Sequence, residues 1–288
     1  MSHRYVDAGG LRMHVAEAGE GDPIVLLHGW PQHWYLWRSV IPQLAPHAHV
    51  ICPDLRGFGW TDVPGSGYDR ETMAQDVLSL LDAEGLDQVR LAGHDWGGWI
   101  GFLLCLRHPA RVERFVAMNI VPPWPSLNPR DVLELWRMAY QVPLALPQLG
   151  RRLVSVGGAR LALRAASDSF SEVELDAFAD RLEGDRARAS EVLYRTFLLR
   201  EALPVAAGRY AKLPLTVPTL LLCGARDLAI PTRVLREHAA QADALQLELV
   251  PDAGHFIVDE KPDLVASRLL QFFGSPIVRG GSGRGFRS

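Results

Sequence analysis

The sequence predicts an α/β fold: a mostly parallel sheet flanked by helices, with a helical cap inserted between two of its strands. Three observations predict it. Short apolar segments alternate with longer amphipathic ones, the pattern of strand–helix–strand units that build a parallel sheet. That rhythm stops between about residues 122 and 213, in a stretch rich in Leu, Ala and Arg with no strand signal and with prolines at both ends (Pro122, Pro123 and Pro125; Pro204, Pro214 and Pro218). And Gly93-His94-Asp95-Trp96-Gly97-Gly98 stands between an apolar run and a helix-compatible one, as a sharp strand-to-helix turn does.

Taken in order, Leu11 to Ala18 and Pro23 to Leu27 read as strands, the second followed by His28-Gly29-Trp30-Pro31. His49 to Cys52 is a strand that runs into Asp54-Leu55-Arg56-Gly57-Phe58-Gly59. Thr72 to Glu84 is a helix, because Met73, Val77, Leu80 and Leu81 share one face at helical spacing. Val89 to Ala92 is the strand before the turn at Asp95, and Trp99 to Leu106 is the helix after it. Val112 to Met118, Leu220 to Cys223 and Leu247 to Val250 are further strands. Pro262 to Phe273 is a last helix, with proline in its first turn. The expected division is a core of residues 1–121 and 214–275, a cap of 122–213, and a disordered tail of 276–288 that holds Gly280-Gly281-Ser282-Gly283. A cap is preferred to a separate domain, since about ninety helical residues with few aromatics make a thin core alone.

Composition narrows the function. A chain of 288 residues that is 48% hydrophobic can bury a large core. A net charge of −3 without a basic block argues against nucleic acid as a partner. Cys52, Cys105 and Cys223 are odd in number and sit in apolar runs, which reads as buried, reduced thiols and a cytoplasmic setting. Met1 to Ala8 carries no apolar signal core. The longest apolar runs are too short to span a bilayer, so no stable membrane insertion is expected. No metal-ligand cluster, P-loop or dinucleotide fingerprint is present, so neither metal nor cofactor is expected and water is the only cosubstrate. A homodimer is left open.

Asp95 occupies the centre of a nucleophile elbow, where the familiar version has serine. A carboxylate attacks saturated, electrophilic carbon and gives an ester that a second step must hydrolyse. That chemistry suits the opening of an epoxide or the displacement of a halide. Asp227 follows one later strand and His255 the next, so the order is nucleophile, acid, histidine. All three then lie at the C-terminal edge of a parallel sheet, where such sheets place their sites. A lone Asp after a strand is commonly only a turn former, and a lone His in a loop is commonly nothing; it is the ordered set that points to catalysis. His255 is the expected general base and Asp227 its orienting acid. Asp252 is an alternative acid, set aside because its closeness to His255 suits a turn residue. The backbone N–H groups of Trp30 and Trp96 are the expected oxyanion donors, with Pro31 shaping the loop.

With these motifs the chain resembles the α/β-hydrolase-fold epoxide hydrolases and, more loosely, the haloalkane dehalogenases. The resemblance covers nearly the whole core. It implies an oxyanion role for the His-Gly-x-Pro loop at Trp30, an alkyl ester on Asp95, and water activation by His255 with Asp227. It also implies two cap tyrosines that bind the epoxide oxygen and donate a proton. Tyr194 matches the second. At the first, the alignment places Trp136 where tyrosine is expected, and Tyr140 lies one turn further on; both are candidate substrate-binding residues. Trp124, Trp136, Phe170, Phe178 and Phe197 in the cap, with Trp30, Trp96 and Trp34 at the core mouth, suggest a small apolar epoxide as substrate. The rivals are a dehalogenase, which lacks here its usual Asn after His-Gly, and a non-catalytic ligand-binding member of the fold, which would have lost part of the triad.

Overall fold

The computed structural model describes residues 1–124 and 135–274. Its centre is an eight-stranded sheet: β1 (Ser2–Ala8), β2 (Leu11–Ala18), β3 (Pro23–Leu27), β4 (His49–Pro53), β5 (Val89–His94), β6 (Val112–Met118), β7 (Thr219–Gly224) and β8 (Leu245–Val250). The strand order is β1-β2-β4-β3-β5-β6-β7-β8. β1 and β2 form an antiparallel edge, and every pair from β4 to β8 is parallel.

Successive side chains of a strand point to opposite faces, and the core divides accordingly. Val25, Leu27 and Leu91 join one apolar layer, closed by Val77 and Leu80 of the helix Arg70–Ala83 and by Phe102 of the helix Trp96–Arg107. Ile24, Leu26 and Ala92 join the other, closed by Ile41 and Leu44 and by Val265 and Leu269 of the helix Pro262–Gly274. The three cysteines are buried and unbridged. Among the described residues, no helix is long and apolar enough to cross a membrane.

Strand β1 was not expected from the sequence. Of its residues only Val6 and Ala8 are buried, so it carries little apolar signal. Its place comes from backbone pairing with β2 along its whole length, from Ser2 opposite Glu17 to Ala8 opposite Leu11.

Between β6 and β7 the described residues form helices and no strand: Gln141–Ala145, Leu149–Leu153, Ala159–Ala166, Glu172–Ala179, Gly184–Thr196 and, after a wide turn, Ala202–Ala206. Charged contacts tie them to the core. Arg70 is wholly buried and pairs with Glu201; Arg38 pairs with Glu174; Arg186 donates to the carbonyls of Gly59 and Thr61, at 2.7 and 3.1 Å. Trp124, read from sequence as a cap residue, is instead core: its ring packs on Phe102 and its indole N–H donates to the His238 carbonyl at 3.1 Å. The expected tail at 276–288, and residues 125–134 of the expected cap, lie outside the described residues.

Candidate active site

Strand β5 ends at His94 and the helix begins at Trp96, leaving Asp95 in the turn with φ 50° and ψ −123°. Side chains rarely tolerate that backbone. It is held by Asp95 N–H bonding to the Met118 carbonyl at 3.0 Å, and by the Trp99 N–H bonding to the Asp95 carbonyl at 3.1 Å. The turn is tight enough to need glycine on both sides: a Cβ on Gly93 would lie 2.4 Å from the Gly97 oxygen, and one on Gly97 2.5 Å from the His28 oxygen.

The loop after β3 comes to meet this turn. The Trp30 N–H donates to Asp95 Oδ2 at 2.9 Å, and the Trp96 N–H favours the charge of the same carboxylate. Gly29 permits the approach, since a Cβ there would sit 2.4 Å from that of Asp95. The loop is fixed from behind. His28 Nε2 accepts the Leu55 N–H at 2.9 Å, which leaves Nδ1–H to face the Gly29 carbonyl at 3.0 Å. Asp54, fully buried, accepts the N–H groups of Trp34 and Trp60 and faces His14 Nδ1 at 2.7 Å. The Asp54–Gly59 motif thus braces the loop rather than reacting. The Trp30–Pro31 peptide is cis.

Across the sheet edge, His255 Nδ1 lies 2.8 Å from Asp227 Oδ2. Asp227 Oδ1 accepts the N–H groups of Ala229 and Ile230 at 2.8 and 3.1 Å. Asn119, directly after β6, donates to Asp227 Oδ2 at 2.7 Å and to the Gly254 carbonyl at 3.0 Å. Sequence reasoning missed Asn119; the available signal was a polar residue ending an apolar strand, at the edge that Asp95 and Asp227 share. His94 Nε2 lies 2.8 Å from the His255 carbonyl, and burial pushes its pKa down to about 3, so the neutral ring donates there. Asp252, the alternative acid, is an exposed turn residue paired with Lys261.

The charges are arranged to work. Burial pushes Asp95 up to about 6, against the His255 charge and the two N–H donors, which favour the carboxylate. Burial opposes the His255 charge as well, but Asp227 and then Asp95 outweigh it and raise the imidazole to about 9. Burial also works against Asp227, yet His255, Asn119 and the Ala229 N–H hold it below the usual carboxylate range.

Tyr194, on the helix Gly184–Thr196, is 2% exposed, with its ring edge-on to Trp30 and Trp96 at 5.3 and 6.0 Å between centroids. Tyr140 lies beside it, edge-on, with centroids 6.2 Å apart. Tyr140 keeps 44% of its surface accessible. Burial and the Asp95 charge push Tyr140 up to about 12 and Tyr194 well above its usual value. Trp136 is not with them: it is 67% exposed, with the Arg137 guanidinium over its ring. Of the expected wall, Phe197 packs on Trp96 and Phe170 on Phe256. Trp34 instead faces His3 near β1, away from the mouth. Among the described residues no group of His, Cys, Asp or Glu could hold a metal ion.

A carboxylate on an elbow, two amide donors, a paired histidine and two protonated phenols make up a candidate active site of the α/β-hydrolase type. The alpha/beta hydrolase fold family matches residues 22–262, and the chain belongs to that family. Within it the chain belongs with the epoxide hydrolases. It is 32% identical to a soluble epoxide hydrolase of Corynebacterium sp. (strain C12), over 95% of this chain and 97% of that protein. It is 29% identical to epoxide hydrolase 1 of Siraitia grosvenorii, over 94% and 98%. The solved structure of the epoxide hydrolase CorEH without ligand superposes with a TM-score of 0.82 at 32% identity, covering 95% of this chain and 98% of that one.

Proposed function

We propose that this protein hydrolyses a small apolar epoxide to a vicinal diol through an ester on Asp95. The observation that carries the proposal is the position of the Asp95 carboxylate. The Trp30 amide holds it, the Trp96 amide favours its charge, and that charge reaches both Tyr140 and Tyr194. An Asp95 oxygen attacks an epoxide carbon, the ring C–O bond breaks, and the alkoxide takes a proton from the phenol pair. A phenol held above pH 10 stays protonated at neutral pH and is ready to donate. His255, oriented by Asp227, then removes a proton from water as it attacks the Asp95 carbonyl carbon. The Trp30 and Trp96 N–H groups stabilise the resulting oxyanion. Collapse releases the diol and restores the carboxylate, and the proton on His255 returns to the phenolate.

Trp30, Trp96, Phe197 and the two tyrosines give the reacting carbon an apolar, aromatic surround, which supports an apolar substrate. Halide release is less well served. The Trp30 indole N–H, standing where a dehalogenase places its second halide donor, is already given to Ser190 Oγ at 3.0 Å. Unbridged, buried thiols support a cytoplasmic setting.

The test is a trapped intermediate. His255→Ala incubated with a terminal alkyl or aryl epoxide should gain one substrate mass, on the peptide containing Asp95, while the unaltered protein forms diol and releases no chloride from chloroalkanes. A His255→Ala protein that stays unmodified while still making diol would mean direct attack by water.

A further inference from the structure

The carboxyl of Glu260 reaches back over the loop that carries His255. Its Oε2 accepts the Gly254 N–H at 2.6 Å and its Oε1 accepts the Phe256 N–H at 3.2 Å. It therefore grips the residues on both sides of the histidine. The carbonyls of the same short segment are held separately, Gly254 by Asn119 and His255 by His94. A Cβ on Gly254 would come within 3.0 Å of Glu260 Oε1, so the loop and the carboxylate are closely fitted. Glu260 ends the one-turn helix Ile257–Glu260 and lies only half-buried, so simple capping of that helix is the alternative it must be weighed against. Capping accounts for the bond to Phe256 N–H. It does not account for the shorter bond to Gly254 N–H, which lies before the histidine.

We propose that Glu260 is a positioning residue for ester hydrolysis: it fixes the His255 peptide from both sides and adds a second negative charge that favours the imidazolium. The idea rests on the reading of His255 as the base. The titratable groups that act on the ring are Asp227 on the loop after β7, Asp95 in the elbow, neutral His94 at the end of β5, and Glu260. Asp95, Asp227 and Glu260 all favour the imidazolium. Once Asp95 is esterified its charge is gone, and only Asp227 and Glu260 remain to support the proton that His255 takes from water. Glu260 therefore acts mainly in the second half-reaction, where the first half-reaction has removed its competitor.

The sign follows. A negative Glu260 raises the pKa of His255, and the neutral imidazole is the base. Removing that charge lowers the pKa and moves the acid limb of ester hydrolysis to lower pH. Single-turnover measurements by quenched-flow mass spectrometry separate ester formation from its hydrolysis. In Glu260→Gln, formation should stay within about twofold of the unaltered protein. Hydrolysis should slow about ten- to a hundredfold on its plateau, and its acid limb should fall by about half a unit or more. Glu260→Asp keeps the charge but shortens the reach, so its plateau should fall while its limb stays in place; it also serves if the Gln variant does not fold. A limb and plateau unchanged in Glu260→Gln would overturn the proposal. So would a plateau lowered alike in both variants with neither limb displaced, which is the mark of helix capping alone. His255→Ala tests the underlying reading separately: if it accumulates no ester, His255 is not the base, whatever Glu260 does.

Discussion

The sheet edge and the helices above it hold their candidate catalytic groups in different ways. At the edge, Asp95, Asp227 and His255 stand in the turns and loops just beyond β5, β7 and β8, and hydrogen bonds to backbone groups hold them there: the Trp30 N–H on Asp95, the Ala229 and Ile230 N–H groups on Asp227, and the Gly254 and His255 carbonyls bound by the Asn119 and His94 side chains. Tyr194 and Tyr140 are placed by side-chain packing: Tyr194 through ring contacts with Trp30 and Trp96, and Tyr140 through its ring contact with Tyr194. Backbone placement follows from topology, provided the glycines that let the turn close are kept. Placement by packing depends on each neighbour's shape. The edge is thus suited to fixed chemistry, and the helices to a choice of substrate.

Four experiments would break or sharpen that contrast. The largest effect belongs to the edge: Asp95→Ala should lower diol formation by about 10⁴-fold or more, since a nucleophile removed leaves only binding; a steady-state assay retaining a few per cent of the rate would reverse the assignment. Next comes the packed pair. Tyr194→Phe should slow ester formation by about 10²–10⁴ and leave ester hydrolysis nearly unchanged, with Tyr140→Phe costing less; alkylation at the unaltered rate in both would remove the phenols from the mechanism. Asn119→Ala should slow ester hydrolysis by about ten- to a hundredfold, because Asp227 and the Gly254 carbonyl lose their shared donor; an equal slowing of ester formation would place Asn119 in folding rather than in the histidine's support. The smallest effect is one of pH. Asp95 must be ionised to attack, so ester formation should fall as pH drops through about 6 and show no alkaline limb up to pH 10, the phenols being held above it. A limb near 4 would show the Asp95 carboxylate to be better hydrated than its burial implies.

The same contrast explains what could be read from the sequence. Asp95, Asp227 and His255 stood out because each follows a strand-like run and their order is distinctive. The parallel sheet was legible from alternating apolar runs. Strand β1 was not, because an edge strand with two buried residues has little hydrophobic pattern to show. Asn119 was silent because one polar residue after a strand looks like any turn. The choice between Trp136 and Tyr140 stayed open because a motif does not set which face a short helix presents. Packing sets it, and here it turns Tyr140 toward Tyr194 and leaves Trp136 under Arg137. Trp34 and Trp124 were misplaced for a related reason: an aromatic residue close in sequence to a site can pack on either side of the sheet.

Trp30 belongs to both regions at once. Its amide points at Asp95, and its indole is fastened to Ser190 on the helix that bears Tyr194. An engineer who grafts the helical segment of a relative onto this core would have to carry a hydroxyl to position 190. Without it a buried N–H is orphaned, at about 1–3 kcal/mol, and the ring is freed to drag its own amide out of line. Swapping the upper half to obtain a new substrate range would then damage the turnover of every substrate, old and new, through a tryptophan that was never exchanged.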